Sequence, residues 1–248
     1  MRHRNPEPST LAESLAAHGY ACPIPLTHDR LYESHHWWHE MARQYHEPEP
    51  FRYSLGAFIQ AARNTTFMLQ KEKAVFDDFS WYEEWAKRAK ADPVLAWLGS
   101  ARTDLVHRDA LEPFSFLEMR CLDNPRDPHG IDDDPLVKRV SPFACTHYYI
   151  NQGPQTDHAH EYTRQWGIDG LPGYELLEAC AQAYDCLDDL VALAHNKLHA
   201  QVMNYRTPGS KRNLPCMENT IRHRVARTVV RDGREVWEGE PPALHEHS

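Results

Sequence analysis

Arg102 and His107 stand five residues apart in the stretch Ser100-Ala101-Arg102-Thr103-Asp104-Leu105-Val106-His107. Together they carry enough chemistry to cut RNA. An imidazole titrates near neutrality, so it can take a proton from the attacking 2′-hydroxyl and return one to the leaving oxygen. A guanidinium stays charged and can hold two phosphate oxygens as negative charge builds. A five-residue step on an ideal helix turns about 140°. The two side chains therefore converge only if the helix frays before His107 or the long Arg102 side chain swings round. The plainer alternative is that Arg102 pairs with Asp104 or Glu112 while His107 caps a helix C-terminus, where a cation is favoured.

Two histidine clusters offer metal chemistry instead. His35 and His39 are spaced i, i+4, which puts two imidazoles on one helix face, and a third ligand would have to come from elsewhere. His35 also falls in an apolar stripe, so a hydrogen-bonded core histidine is the competing expectation. In Asp157-His158-Ala159-His160-Glu161, His158 and His160 face the same way on an extended chain, and an adjacent carboxylate would complete a zinc or manganese site. The competing expectation there is a polar loop leading into Tyr162 to Trp166. Asp132-Asp133-Asp134 is read as an exposed acidic turn. The sequence contains no Gly-x-Gly-x-x-Gly, Walker loop, Gly-x-Ser-x-Gly, His-Glu-x-x-His or zinc-finger spacing. Nothing thus points to a nucleotide cofactor, and the expectation is no cofactor at all.

These residues need elements to position them. Leu31, His35, Trp38, Ala42 and Tyr45 recur at helical spacing, with Pro48 and Pro50 beyond them as a stop. Phe51, Leu55, Phe58, Ala62, Thr66 and Leu69 repeat the pattern. Ser80-Trp81-Tyr82-Glu83 has the form of a capping box, and the helix after it presents Tyr82, Trp85, Ala86 and Ala89. Asp92-Pro93 starts a fourth helix with Val94, Trp97, Leu98, Ala101 and Leu105 on its inner face. Short connections predict that these helices are packed neighbours. Residues 109–170 are then rich in Pro, Asp and Gly, and 116–121 and 144–150 read as strands. Leu171-Pro172 opens a long helix with Leu177, Ala181, Tyr184, Leu187, Val191, Ala194 and Leu198 as its stripe. Asp232-Gly233 predicts a tight hairpin between 227–230 and 234–237.

An Arg-x4-His pair on the last of four helices resembles the Arg-x4–6-His motif of HEPN domains, small helical bundles that often act as metal-independent ribonucleases. The resemblance covers Arg30 to Glu112. It implies a bundle that dimerises and brings two Arg/His pairs into one cleft, with in-line attack giving a cyclic phosphate and no metal. Arg102 and His107 would be catalytic, with Asn64, Thr103 and Asp104 in support.

The chain has 248 residues, 41% hydrophobic and 25% charged, with a net charge of −9. That suits one large soluble domain, or one domain with an appendage. An acidic balance argues mildly against bulk nucleic-acid binding. The charge is uneven, however. Residues 206–234 hold eight Lys/Arg against two acids, while 109–134 hold eight acids against two arginines. Arg222, Arg224 and Arg227 in the basic stretch are candidate nucleic-acid contacts, and a charge-balanced solvated surface is the bland alternative. Six cysteines occur without a Cys-x-x-Cys, which reads as reduced thiols of a cytoplasmic protein. No run is apolar enough for a membrane helix, and the N-terminus lacks the apolar core of a signal peptide.

The expected class is α+β, mostly α. A flexible arm spans 1–27, a HEPN-like four-helix bundle 28–112, a mixed segment with a long helix and a hairpin 113–240, and a loose tail 241–248. The expected function is a homodimeric, metal-independent endoribonuclease acting on RNA. The alternatives are a catalytically silent helical binding protein and a metal enzyme built on the histidine clusters.

Overall fold

A computed structural model of the chain describes residues 22–107, 111–122, 136–140, 158–198, 215–231 and 234–238. Most of the expected arm, the acidic turn at 132–134 and the strand at 144–150 lie outside these residues.

Four helices occupy the expected stretch. Helix α1 runs Pro25–Arg43 and α2 runs Pro48–Lys71. Both begin with proline in the first turn, where the missing N–H costs nothing. Pro48 therefore opens the second helix rather than stopping the first, and α1 ends at Arg43 before a short turn. Residues 24–27, assigned from the sequence to the arm, belong to the folded body. Ile24 is 0% exposed. The Glu72 carboxylate, just past α2, accepts from Leu26 N, Thr27 N and the Thr27 hydroxyl at 2.9, 2.9 and 2.6 Å. It thereby caps α1 from a distance, satisfying amides that α1 cannot pair itself.

Helix α3 runs Trp81–Ala91 and α4 runs Pro93–His107. Asp92 caps α4 as expected, its Oδ1 accepting from Val94 N and Leu95 N at 2.9 Å. The capping box at Ser80 does not form. The Ser80 hydroxyl donates to Asp78 at 2.9 Å, and the Glu83 amide donates to the Ser80 carbonyl instead. A carboxylate two residues upstream outcompetes the box because it also takes the Ser80 amide, at 2.8 Å.

Among the described residues the strands are β1 (Phe114–Leu122), β2 (Leu136–Val140), β3 (His158–Gly167), β4 (Val225–Arg231) and β5 (Arg234–Glu238). They form one antiparallel sheet in the order β2-β1-β3-β4-β5. The predicted hairpin is β4–β5, with Arg231 opposite Arg234. His158 to Glu161, for which a polar loop leading into Tyr162 to Trp166 was the competing expectation, instead open the central strand, which runs on through those residues. Its alternating buried Tyr162, Arg164 and Trp166 supply the period of two that a half-covered strand requires.

Helix α5 runs Leu176–Lys197, starting later than Leu171. Gly173 has φ +82°, a left-handed turn that interrupts the backbone before the helix, and Glu175 then caps it by accepting from Glu178 N at 3.0 Å. Its buried set extends well beyond one stripe to Leu176, Cys180, Ala183, Leu190 and His195. Such a helix is covered on several sides. It packs against α1, α2, α4 and β3. The core is continuous from Ile24 to Met217, so the first four helices bury their apolar faces partly against α5. Trp38 donates to the Leu177 carbonyl at 2.9 Å, and Trp166 of β3 stacks on Phe51 of α2 with centroids 4.4 Å apart. The fold is mostly α within the α+β class.

Candidate functional site

The Arg102/His107 pair lies on α4. That helix is unbroken through His107. Val94, Trp97, Leu98 and Ala101 turn inward, and Leu105 packs over Gly56. Arg102 is exposed and makes no hydrogen bond or ion pair among the described residues. With the helix intact, the Cα positions of 102 and 107 keep the roughly 140° separation of an ideal helix. Thr103 is exposed, its hydroxyl 3.4 Å from the Gly99 carbonyl. Asp104 is half-buried on the same helix, and Asn64 is half-buried on α2.

The basic stretch folds alongside acids. Arg224 contacts Glu178 at 2.9 Å and Glu175 at 3.8 Å. Arg227 stands in register between Glu161 of β3 and Glu238 of β5. Arg222 is exposed. Its Nε donates to His223 Nε2 at 3.1 Å, and an Nη lies 3.4 Å from the Cys216 carbonyl.

Among the described residues, three metal-ligating groups converge elsewhere. His35 and His39, one turn apart on α1, meet Cys216 on the short helix α6 (Pro215–Glu218). One ligand atom from each lies within 4.8 Å of the others, and His35 Nε2 is 3.4 Å from the Cys216 sulfur. The two imidazoles meet edge to face at 4.6 Å, and the Tyr184 ring of α5 lies 5.4 Å from His35. All three ligand-bearing residues are half-buried. His35 is thus at the margin of the core, because Ser34 and Trp38 take the inward positions.

A tightly tied turn holds Cys216 there. Met217 and Thr220 are buried, and a 3-10 turn at Thr220–His223 follows. Burial pushes the His46 imidazole down to about 3. His223 falls to about 4 through burial and then the Arg222 charge. His39 is lowered by burial and then by Arg43 and Arg222. His46 and His223 stay neutral at physiological pH, and His39 is shifted in the same direction, toward the neutral state in which imidazole is a ligand. Sequence reasoning found His35 and His39 but missed Cys216, which is 181 residues from His35. The only available signal was a lone Pro-Cys after a basic run. His158 and His160 lie on one face of β3, with Cys121 of β1 in register opposite His160.

A family model described as bacteriophage lambda protein ea47 matches residues 16–240. The chain belongs to that family. It is similar to the protein ea47 of Escherichia phage lambda, 26% identical over 175 residues, which is 64% of this chain and 42% of the relative. The chain thus matches less than half the length of that ea47 protein. No solved structure matches it. Among the described residues, no helix is long and apolar enough to cross a membrane.

Proposed function

We propose that this ea47-family chain is a helical interaction protein whose single subunit lacks RNA-cleaving chemistry. The supporting observation is the intact α4. A continuous helix from Pro93 to His107 keeps the Cα positions of residues 102 and 107 about 140° apart, so bringing both to one phosphate within a subunit would rest on the reach of the Arg102 side chain alone. The acidic partners of Arg224, and the backbone register that sets position 227 between Glu161 and Glu238, point the same way, since these acids offset the positive run that would attract a phosphate backbone. The free thiols of Cys22, Cys180, Cys186 and Cys216 suit a reducing, cytoplasmic setting.

The second reading is a HEPN-type endoribonuclease that works only as a homodimer. It is favoured by the exposure of Arg102 and by the place of His107 at the end of α4. Packing α4 against a second copy across a two-fold axis would set Arg102 of one subunit opposite His107 of the other. Light scattering separates the two. A monomer at tens of micromolar removes the ribonuclease reading. A dimer that cleaves RNA in EDTA, and loses cleavage in Arg102→Ala and His107→Ala, removes the interaction reading.

A further inference from the structure

We propose that His35, His39 and Cys216 form a zinc site that clamps the segment before β4 onto helix α1.

The donor set carries the argument. Two imidazoles and one thiolate are the borderline-soft ligands that zinc selects, and carboxylate-preferring magnesium or calcium would not choose them. The geometry agrees. Zinc bonds of about 2.0–2.1 Å to nitrogen and 2.3 Å to sulfur, at a tetrahedral angle, put the two ligand atoms about 3.6 Å apart. His35 Nε2 and the Cys216 sulfur are 3.4 Å apart, and the third ligand atom lies within 4.8 Å of both. Closing on an ion therefore needs rotamer adjustment rather than movement of a helix. The half-buried setting lets the ion enter from solvent.

The surroundings are those of a prepared site. His35 and His39 are fixed one turn apart by a rigid helix whose neighbouring Trp38 is buried and bonded to α5. Cys216 is fixed by buried Met217, by the Arg222 contact to its carbonyl, and by the 3-10 turn that follows at buried Thr220. Three protein ligands leave a fourth tetrahedral position for water or an incoming group. On binding, the thiol proton passes to solvent and a zinc–sulfur bond forms, with no change of oxidation state. The ion joins positions far apart in the chain, so its gain in stability appears as tighter docking of the 215–231 segment.

Metal titration of the full chain tests the proposal. Protein stripped with chelator and dialysed is titrated with Co²⁺, then Zn²⁺, under reducing conditions, while circular dichroism reports folding. The expected result is one cobalt per chain with the visible and charge-transfer absorption of a tetrahedral thiolate site, displaced by zinc, and a higher midpoint of thermal unfolding with zinc. Cys216→Ser should abolish the charge-transfer band, whereas Cys186→Ser and the His158→Gln/His160→Gln double variant should keep it. If Cys216→Ser fails to fold, His39→Gln decides. Loss of a ligand should weaken cobalt binding by more than the roughly 10–100-fold that outer-shell changes cost. Folded wild-type protein without the thiolate–cobalt band overturns the proposal. So does a band that survives in folded Cys216→Ser, or undiminished affinity in His39→Gln.

Discussion

Trp97 shows what a single side chain does in this fold. It is 4% exposed on α4, and its ring also lies against Gly170 in the loop before α5. Trp97→Ala should lower the unfolding free energy by about 3–5 kcal/mol, measured by urea denaturation, because it empties a large buried volume. A loss below about 1 kcal/mol would mean that the site collapses or is not core. Glu72 makes a different contribution. Its carboxylate takes three donors at the start of α1, so Glu72→Ala should cost about 1–2 kcal/mol. Glu72→Gln keeps only one acceptor oxygen and should fall between the two. Gly173, with φ +82°, should tolerate alanine poorly, at about 1 kcal/mol, although no atom crowds its Cβ position. Equal stability of Gly173→Ala and wild type would show that the turn can relax.

At the scale of elements, the helices were the legible part. Apolar residues at a period of 3.6, with proline and aspartate at the starts, place α1 to α4 and α5 because those signals are local. Asp92 behaves as its sequence context predicts. Ser80 does not, since Asp78 lies close enough to capture its hydroxyl and amide. The central strand was missed because His158-Ala159-His160-Glu161 is polar, while its partners β1 and β4 are distant in sequence. The candidate metal site was half legible for the same reason. An i, i+4 histidine pair is a local pattern, but Cys216 reaches it only through the packing of α6 against the bundle. The Arg102/His107 pair was fully visible as a spacing. Its meaning depended on whether α4 frays, and periodicity could not answer that. Helix α5 makes an element-scale prediction. Leu187→Ala, at 1% exposure in its middle, should destabilise the helical half and the sheet in one transition, because α5 touches both. Separate transitions by tryptophan fluorescence and far-ultraviolet circular dichroism would show that the two halves fold independently.

The molecule as a whole should be acid-sensitive. Burial holds His46 down to about 3, and burial with His28 nearby holds His195 down to about 4, against an ordinary value of 6.5. Both imidazoles are neutral in the folded chain and take up protons readily when it unfolds. The unfolded state thus binds more protons between about pH 6.5 and pH 3–4, and stability falls as pH falls through that window. Chemical denaturation at pH 7.5, 6.0 and 5.0 should give successively lower unfolding free energies. The slope should lessen in His195→Asn if that variant folds. Stability that is flat from pH 7.5 to 5.0 would contradict the burial of these rings. The account of function turns on α4, and the most direct measurement is cleavage of several single-stranded RNAs in EDTA by wild type, Arg102→Ala and His107→Ala. An interaction protein with an unbroken α4 predicts intact RNA in all three reactions. Cleavage by wild type that both substitutions abolish, with their folds unchanged, would contradict it.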